Sequence, residues 1–426
     1  MSTDADRAVS AARLGVDPSV SAAGLGFDPS DLAFLRNPYP VYDRMRDSAV
    51  IPEAEGSWFL TRHADVLSAL RDPKLSSNPA HRREDERMGS LRSIPFLADG
   101  TLALMLLADP PDHTRLRRLA NRAFTPRAVE GLRPRVAELV DGLLDRVEES
   151  GGEAGGEADL MAGLAEPLPV MVICDLLGVP AQDWDQFKPW STAIARVLDR
   201  DAGPDAMDQA LPAVVGFVQY FAALVEERRD RPTDDLLSRL IAAEEEGESL
   251  SRPELFAMII LLFIAGHETT TNLIGNGSLA LLRHPDQMAA WRQDPSLAVP
   301  AVEELLRYDA PVQVTARTAM ATTEISGLVL QPGDSVVCGL AAANRDPDYM
   351  DDPGALILRR GVPGHVSFGH GMHHCLGAPL ARLEGQEALG RLVARFPDLV
   401  LAQDDPAYRA HFVLRGLASL PVSLVG

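Results

Sequence analysis

The chain of 426 residues carries 61 acidic against 40 basic side chains, a formal net charge of −21, which excludes a nucleic-acid binder that needs a basic face to displace phosphate counterions. A hydrophobic share of 46% excludes disorder driven by charge and is ample for a large core. The three cysteines, Cys174, Cys338 and Cys375, are widely spaced with no CxxC pair, so they do not make a disulfide framework.

Residues 1–30 are rich in Ala, Ser, Gly and Asp without periodicity and read as a flexible lead-in, with the packed chain expected over 31–426 and starting near Asn37-Pro38-Tyr39-Pro40. The N-terminus lacks the basic-then-apolar pattern of a signal peptide. Helical patterns dominate from there. Val136, Val140, Leu143, Leu144 and Val147 recur at steps of three and four and lay one apolar stripe. Further helices are predicted over Leu164 to Leu177, Asp183 to Leu198 and Ala206 to Arg228. Ser251 with Glu254 three residues on, and Pro253 in the first turn, predicts a capping box opening the next helix. That helix holds the longest strongly apolar run, Leu255 to Gly266, at twelve residues too short to span a bilayer. A hairpin is predicted from Ile325 to Leu330 and Ser335 to Leu340 around Gln331-Pro332-Gly333-Asp334. The expected fold is mainly α with a small β subdomain built from N-terminal and C-terminal strands.

The most informative stretch is Phe368-Gly369-His370-Gly371-Met372-His373-His374-Cys375-Leu376-Gly377. Gly369 and Gly371 let the backbone turn sharply and lie against a flat group. Leu376, Leu380 and Leu383 then recur at helical spacing, which puts Cys375 at or just before a helix N-terminus, where the dipole favours the metal-binding thiolate. Taken alone, the residues leave three other readings open: a small buried hydrophobe, a zinc site using His365, His370, His373 or His374, and a phosphate loop, for which neither GxGxxG nor GxxxxGK is present. A second unusual stretch is Ala265-Gly266-His267-Glu268-Thr269-Thr270, where an acid and threonines follow an apolar run and would be costly to bury without partners. The HExxH zinc-protease pattern fails there, because position 271 is Thr271.

FGxGxHxCxG, matched at Phe368, Gly369, Gly371, His373, Cys375 and Gly377, resembles the haem-ligand loop of the cytochrome P-450 family. The resemblance runs over roughly residues 37–426 and implies that fold, with haem b (iron protoporphyrin IX) between an oxygen-activating helix and the cysteine loop. It makes Cys375 the thiolate ligand, and Ala265 and Gly266 the groove over the haem. It also makes Thr269 the residue that hydrogen-bonds dioxygen and Glu268 a member of the proton relay. Glu304 and Arg307 resemble the family's ExxR pair, whose third arginine falls on Ala355, with Arg345 or Arg360 as substitutes. His113 and Arg117, one helical turn apart, and Arg317 and His373 resemble the contacts to the two propionates. The matching substrate segments, with Leu102, Met105, Phe263, Ala265, Val312 and Leu414, are overwhelmingly apolar and imply a sizeable hydrophobic substrate held by shape.

The activity so implied is monooxygenation with O2, a hydroxylation or epoxidation of a bacterial natural product such as a polyketide, macrolide, terpenoid or peptide. The alternatives are oxidative coupling, dehydrogenation or peroxide-driven oxidation on the same fold, and a non-enzymatic Cys/His zinc protein. Electrons are expected from a separate ferredoxin or flavodoxin-type donor. Arg115, Arg117, Arg118, Arg122 and Arg127, five cations within thirteen residues, are the expected face for that acidic partner. No nucleic acid and no membrane are expected, and the protein is read as a cytoplasmic monomer.

Overall fold

The computed structural model describes residues 21–54, 56–82, 104–151, 156–196, 204–245, 247–361 and 364–424. The helices that build the site are α1 (Tyr39–Arg46), α2 (His63–Arg71), α3 (Asp112–Ala123), α4 (Pro167–Leu176), α5 (Phe187–Ala195), α6 (Pro204–Asp230), α7 (Arg252–Arg283), α8 (Ala298–Tyr308) and α9 (Ala378–Arg395). Helix α7 runs through the middle of the main apolar cluster, and its side chains Leu255 to Ile260, Phe263, Ile264 and Leu273 to Leu281 are nearly all buried. The predicted capping box is present, with Ser251 N donating to Glu254 Oε2 at 2.8 Å and Glu254 N donating to Ser251 Oγ at 3.5 Å.

Helix α7 and the stretch Asp208–Asp230 are long and apolar enough to cross a membrane by length and composition, a test that the twelve-residue run did not meet. In α7, 72% of that apolar window is buried inside the protein. A helix apolar on all sides is accounted for by a core that surrounds it.

The five-stranded sheet has the order β1-β2-β5-β4-β3, with β1 (Ile51–Ala54), β2 (Ser57–Leu60), β3 (Leu75–Ser76), β4 (Val314–Ala319) and β5 (Ser335–Gly339). Strand β5 pairs with β2 in parallel and with β4 antiparallel. The predicted hairpin therefore falls elsewhere. Leu328–Leu330 pairs with Thr323–Ile325 across Ser326 and Gly327, both at positive φ, 49° and 82°, the geometry that tight hairpins require. Pro332-Gly333 instead leads into β5, inside the larger sheet. The C-terminal strand Pro421–Ser423 does not join that sheet either. It pairs with Glu157–Asp159 and Val400–Leu401 in a separate three-stranded one.

Part of the lead-in expected over residues 1–30 is anchored to the core, within residues 21–30. Ala22 and Phe27 are buried, and the Phe27 ring meets Phe34, Phe59 and Phe412 edge-on at 5.2–5.3 Å. One aromatic residue in an otherwise small and polar stretch carries no periodicity, which is why the sequence pattern misses it. Residues 1–20 lie outside the described residues.

Candidate functional site

Cys375 lies three residues before the first residue of α9, behind the Gly377 cap. Its backbone N–H donates to Phe368 O at 2.9 Å, which closes the loop. The backbone N–H groups of Gly377 and Ala378 are aimed at Sγ. Burial pushes the Cys375 thiol up, while those two donors and the guanidinium groups of Arg117 and Arg382 pull it down toward the thiolate. As a residue Cys375 is nonetheless exposed, whereas Cys174 and Cys338 are buried. Burial pushes Cys338 up to about 11, and it pushes Cys174 up further. Only Cys375 combines access with donors to sulfur.

Gly369 and Gly371 sit at φ 65° and 71°, the left-handed region in which glycine carries no steric penalty. At Gly371 a Cβ would also come within 2.5 Å of the backbone oxygen of Leu70 in α2. Gly371→Ala is therefore expected to push the cysteine loop off α2, at a cost of about 1–3 kcal/mol for the strained backbone alone. A lower melting temperature checks this; an unchanged one counts against the close approach. The loop's histidines point to separate partners rather than to one centre. His365 Nε2 meets Glu303 Oε2 at 3.1 Å, His370 meets Arg71, and the His373 ring lies 4.2 Å from that of His113.

The sequence-predicted cationic set is gathered around the cysteine. His113 and Arg317 are buried. Burial first, and then Arg117, holds His113 below its usual value. Burial, then His113 and Arg317, drives His373 down to about 3. Both imidazoles are therefore neutral near pH 7, each with one N–H to donate. Among the described residues, the Arg317 side chain hydrogen-bonds only within its own strand, at Thr315 Oγ1 and Ala316 O. Neither it nor Arg117 makes an ion pair with a carboxylate among the described residues. Burial lowers the pKa of both guanidinium groups. A desolvated guanidinium without an anion is unfavourable by several kcal/mol, so this cradle would suit a ligand bearing carboxylates. The two propionates of a haem would find their cationic and N–H donor partners here.

On α7, Ala265 is exposed while Ile264 and His267 are buried, so this part of the helix faces a cleft. A Cβ on Gly266 would meet only Ile173 Cδ1, at 3.9 Å. The partly exposed Thr269 donates from Oγ1 to Ala265 O at 2.6 Å. Glu268 diverges from it. That carboxylate is buried and accepts from Arg409 Nη1 at 2.8 Å and from Thr192 Oγ1 at 3.4 Å. The sequence pattern missed Arg409. The one available signal was that a buried acid on an apolar helix requires a cation.

Glu304 and Arg307 form a buried hub. Arg307 donates from Nε and Nη2 to the Glu304 carboxylate at 2.7 and 2.8 Å. It also donates to Pro353 O at 2.7 Å, Ala355 O at 2.9 Å and Asn344 O at 3.2 Å. Ala355 thus contributes its carbonyl, and Arg360 fills the third arginine's place, with Nε 3.2 Å from Glu304 Oε1. Arg345 does not. It bonds Tyr308 O and stacks on Tyr39 and Tyr308, at 3.5 and 4.2 Å.

Of the expected substrate residues, Val312 and Leu414 are brought together as a β-bridge pair. Met105 opens a short 3₁₀ turn and is buried. Phe263 packs its ring against Phe187 and Phe217, each at 5.2 Å, so it is spent on the aromatic core between α5, α6 and α7. Leu102 lies outside the described residues.

The cytochrome P450 family model matches residues 83–421. A vitamin D(3) 25-hydroxylase of Pseudonocardia autotrophica is 45% identical over 400 residues, 92% of this chain and 94% of that protein. The cytochrome P450 monooxygenase PikC of Streptomyces venezuelae is 41% identical over 401 residues, 91% of each. Among solved structures, the bacillaene polyketide synthase cytochrome P450 PksS of Bacillus subtilis 168 superposes with a TM-score of 0.84 at 40% identity, covering 94% of this chain and 100% of that one. P450BioI in complex with an acylated acyl carrier protein gives 0.83 at 36% identity, covering 92% and 99%.

Proposed function

Because the chain belongs to the cytochrome P450 family, and is a haem-thiolate monooxygenase, we propose that Cys375 is its haem ligand and that it oxidises a sizeable hydrophobic natural product. The observation that carries this reading is the exposed Cys375 with two backbone N–H donors at its sulfur, beside the buried Arg317 and the half-buried Arg117, which make no ion pair with a carboxylate among the described residues. A thiolate-bound haem supplies the oxidising chemistry, its sulfur favouring O–O cleavage.

The chain's own residues do the rest. Arg117, Arg317, His113 and His373 hold the propionates. Gly377 and Ala378 fix the sulfur. Ala265 and Gly266 leave room above the ring, and Thr269 sets a hydroxyl at the wall of that space. Glu268 brings protons to it from the far side of α7. Val312 and Leu414 close the cleft with apolar surface, which excludes water and selects the substrate by shape. Relatives named for polyketide biosynthesis and for vitamin D(3) hydroxylation support a polyketide-like or terpenoid-like substrate.

The enzyme works in the cytoplasm with a separate ferredoxin or flavodoxin-type donor, docking at the arginine face of α3. Arg115 pairs with Glu254 and Arg118 with Glu248, and Arg122, like Arg127 just beyond the helix, lies at the surface.

The deciding experiment is the spectrum of the dithionite-reduced protein under carbon monoxide, which should show the strongly red-shifted Soret band of thiolate-bound haem. A colourless protein would end the reading. Within it, Thr269→Ala is expected to keep electron consumption while product per electron pair falls about tenfold, the balance emerging as peroxide. Tight coupling in that variant would remove Thr269 from its assigned role.

A further inference from the structure

Helix α8 carries two carboxylates side by side. Glu304 turns inward to Arg307, and Glu303 turns to the cysteine loop and α9. Arg382 on α9 binds Glu303 at two atoms, Nε donating to Oε1 at 2.6 Å and Nη2 to Oε2 at 3.0 Å. Its guanidinium lies 4.5 Å from the centre of the Phe368 ring, inside the range in which a cation is held by the face of an aromatic ring. Phe368 is the residue whose carbonyl accepts from Cys375 N. This cation therefore stands beside the sulfur's own loop, and its charge draws the sulfur toward the thiolate.

His365 completes the arrangement. Its Nδ1 accepts from Ser367 N at 3.3 Å, so the hydrogen that meets Glu303 Oε2, at 3.1 Å, is on Nε2. Burial pushes the Glu303 carboxyl up, but the hydrogen bonds from His365 and Arg382 outweigh it and hold it at about 2. Glu303 is therefore a standing negative charge near pH 7. The backbone of this stretch is shaped without it, because Val366 N donates to Asn344 Oδ1 at 2.8 Å and Ser367 Oγ donates to Leu306 O at 2.7 Å. Side-chain exposure is 27% at Glu303 and 32% at Arg382. An ion pair this open adds little to stability, so its place beside the loop asks for another role.

We propose that Glu303 is a positioning residue for electron acceptance at Cys375: it holds the Arg382 guanidinium against Phe368 and offsets the positive charge that Arg382 presents to the sulfur. The inference rests on the reading of Cys375 as the haem ligand. Reduction of a thiolate-bound haem by one electron from the donor makes and breaks no bond in this chain, and it leaves the centre with one more negative charge. A positive charge nearby favours the reduced state and a negative one opposes it. Arg382 is among the groups that act most strongly on the sulfur, so its charge has the larger effect of the two.

The test is a spectroelectrochemical titration of the purified holoenzyme, read as the ratio of ferrous to ferric haem at one fixed potential near the native midpoint. A tenfold change in that ratio is about 59 mV for one electron. In Glu303→Gln the amide oxygen still accepts from Arg382, so the guanidinium stays on the ring with its charge no longer offset, and the ratio is expected to rise about threefold. Arg382→Gln leaves the carboxylate without its cation, and the ratio should fall about fivefold. The double variant carries neither charge and should lie within about twofold of native. Glu303→Asp keeps the charge and should lie there too. Hydrogen–deuterium exchange of residues 364–377 should stay native in all four.

Single variants that move the ratio in the same direction overturn the proposal, because a loosened loop does not reverse its effect with the sign of the charge removed. Unmoved ratios overturn it as well. So does a shift in Glu303→Gln that comes with faster exchange in the loop and no rescue by aspartate, which makes Glu303 a strut. Should Arg382→Gln not retain haem, a ratio in Glu303→Gln that falls or stays native is enough to overturn it. The underlying reading fails separately: a native protein without the red-shifted carbon monoxide band removes Cys375 as the ligand and the inference with it, whereas unmoved ratios in a protein that shows the band remove the inference alone.

Discussion

Arg307→Ala is expected to yield a protein that loses haem and much of its stability. Arg307 is 1% exposed, and its guanidinium satisfies Glu304 at two atoms and three backbone carbonyls of the segment that leads to the cysteine loop. Truncation leaves the Glu304 charge buried with only Arg360 and the Ile357 N–H, and strands those carbonyls. Breaking a buried pair from one side costs about 3–5 kcal/mol. Arg307→Lys should recover little, because an ammonium cannot bind a carboxylate at two atoms and still reach three carbonyls. The measurement is haem content after purification together with the rate of haem loss. Native values for both would show that the 351–360 segment holds itself in place.

Cys375→Ala is expected to be nearly neutral for folding and severe for function. The backbone bonds that shape the loop, from Cys375 N to Phe368 O and from Gly369 N to Val366 O, do not use the sulfur. Far-ultraviolet circular dichroism should therefore be native. The red-shifted carbon monoxide band should vanish, and monooxygenation should fall more than about 100-fold, the upper range for loss of a mere supporting partner of a metal ligand. Persistence of the band in this variant would assign the ligand to another residue.

Local chemistry made part of this protein legible in its sequence. The glycines at 369 and 371, the Ser251 and Glu254 capping pair and the i, i+3 spacing of Glu304 and Arg307 each state a requirement met within a few residues. The structure supplies the positive φ values, the cap bonds and the ion pair that they call for. What escaped depends on distant partners. Arg409 is 141 positions from Glu268, and only the fold decides between the two substitutes for the third arginine, Arg360 reaching Glu304 while Arg345 turns to Tyr308. Phe263 is as apolar as a pocket residue should be, but apolarity does not say whether a side chain faces substrate or Phe187. The hairpin was misplaced because Pro332-Gly333 is the stronger turn signal, while Ser326-Gly327 makes the tighter turn.

The buried guanidinium of Arg415 binds Asp309 at 2.7 Å, donates to the carbonyls of Leu35 and Arg36 and stacks on Tyr408 at 4.2 Å. Two stretches 380 positions apart are thus parts of one small core. On the ribosome, the first of them must wait for the second. At typical synthesis rates that delay is roughly 20–80 s, during which Phe27, Phe34 and Tyr42 lack the Phe412 ring and Arg415. This end of the molecule therefore completes its folding after release of nearly the whole chain, and in the interval its aromatic residues are the surface on which a chaperone would act.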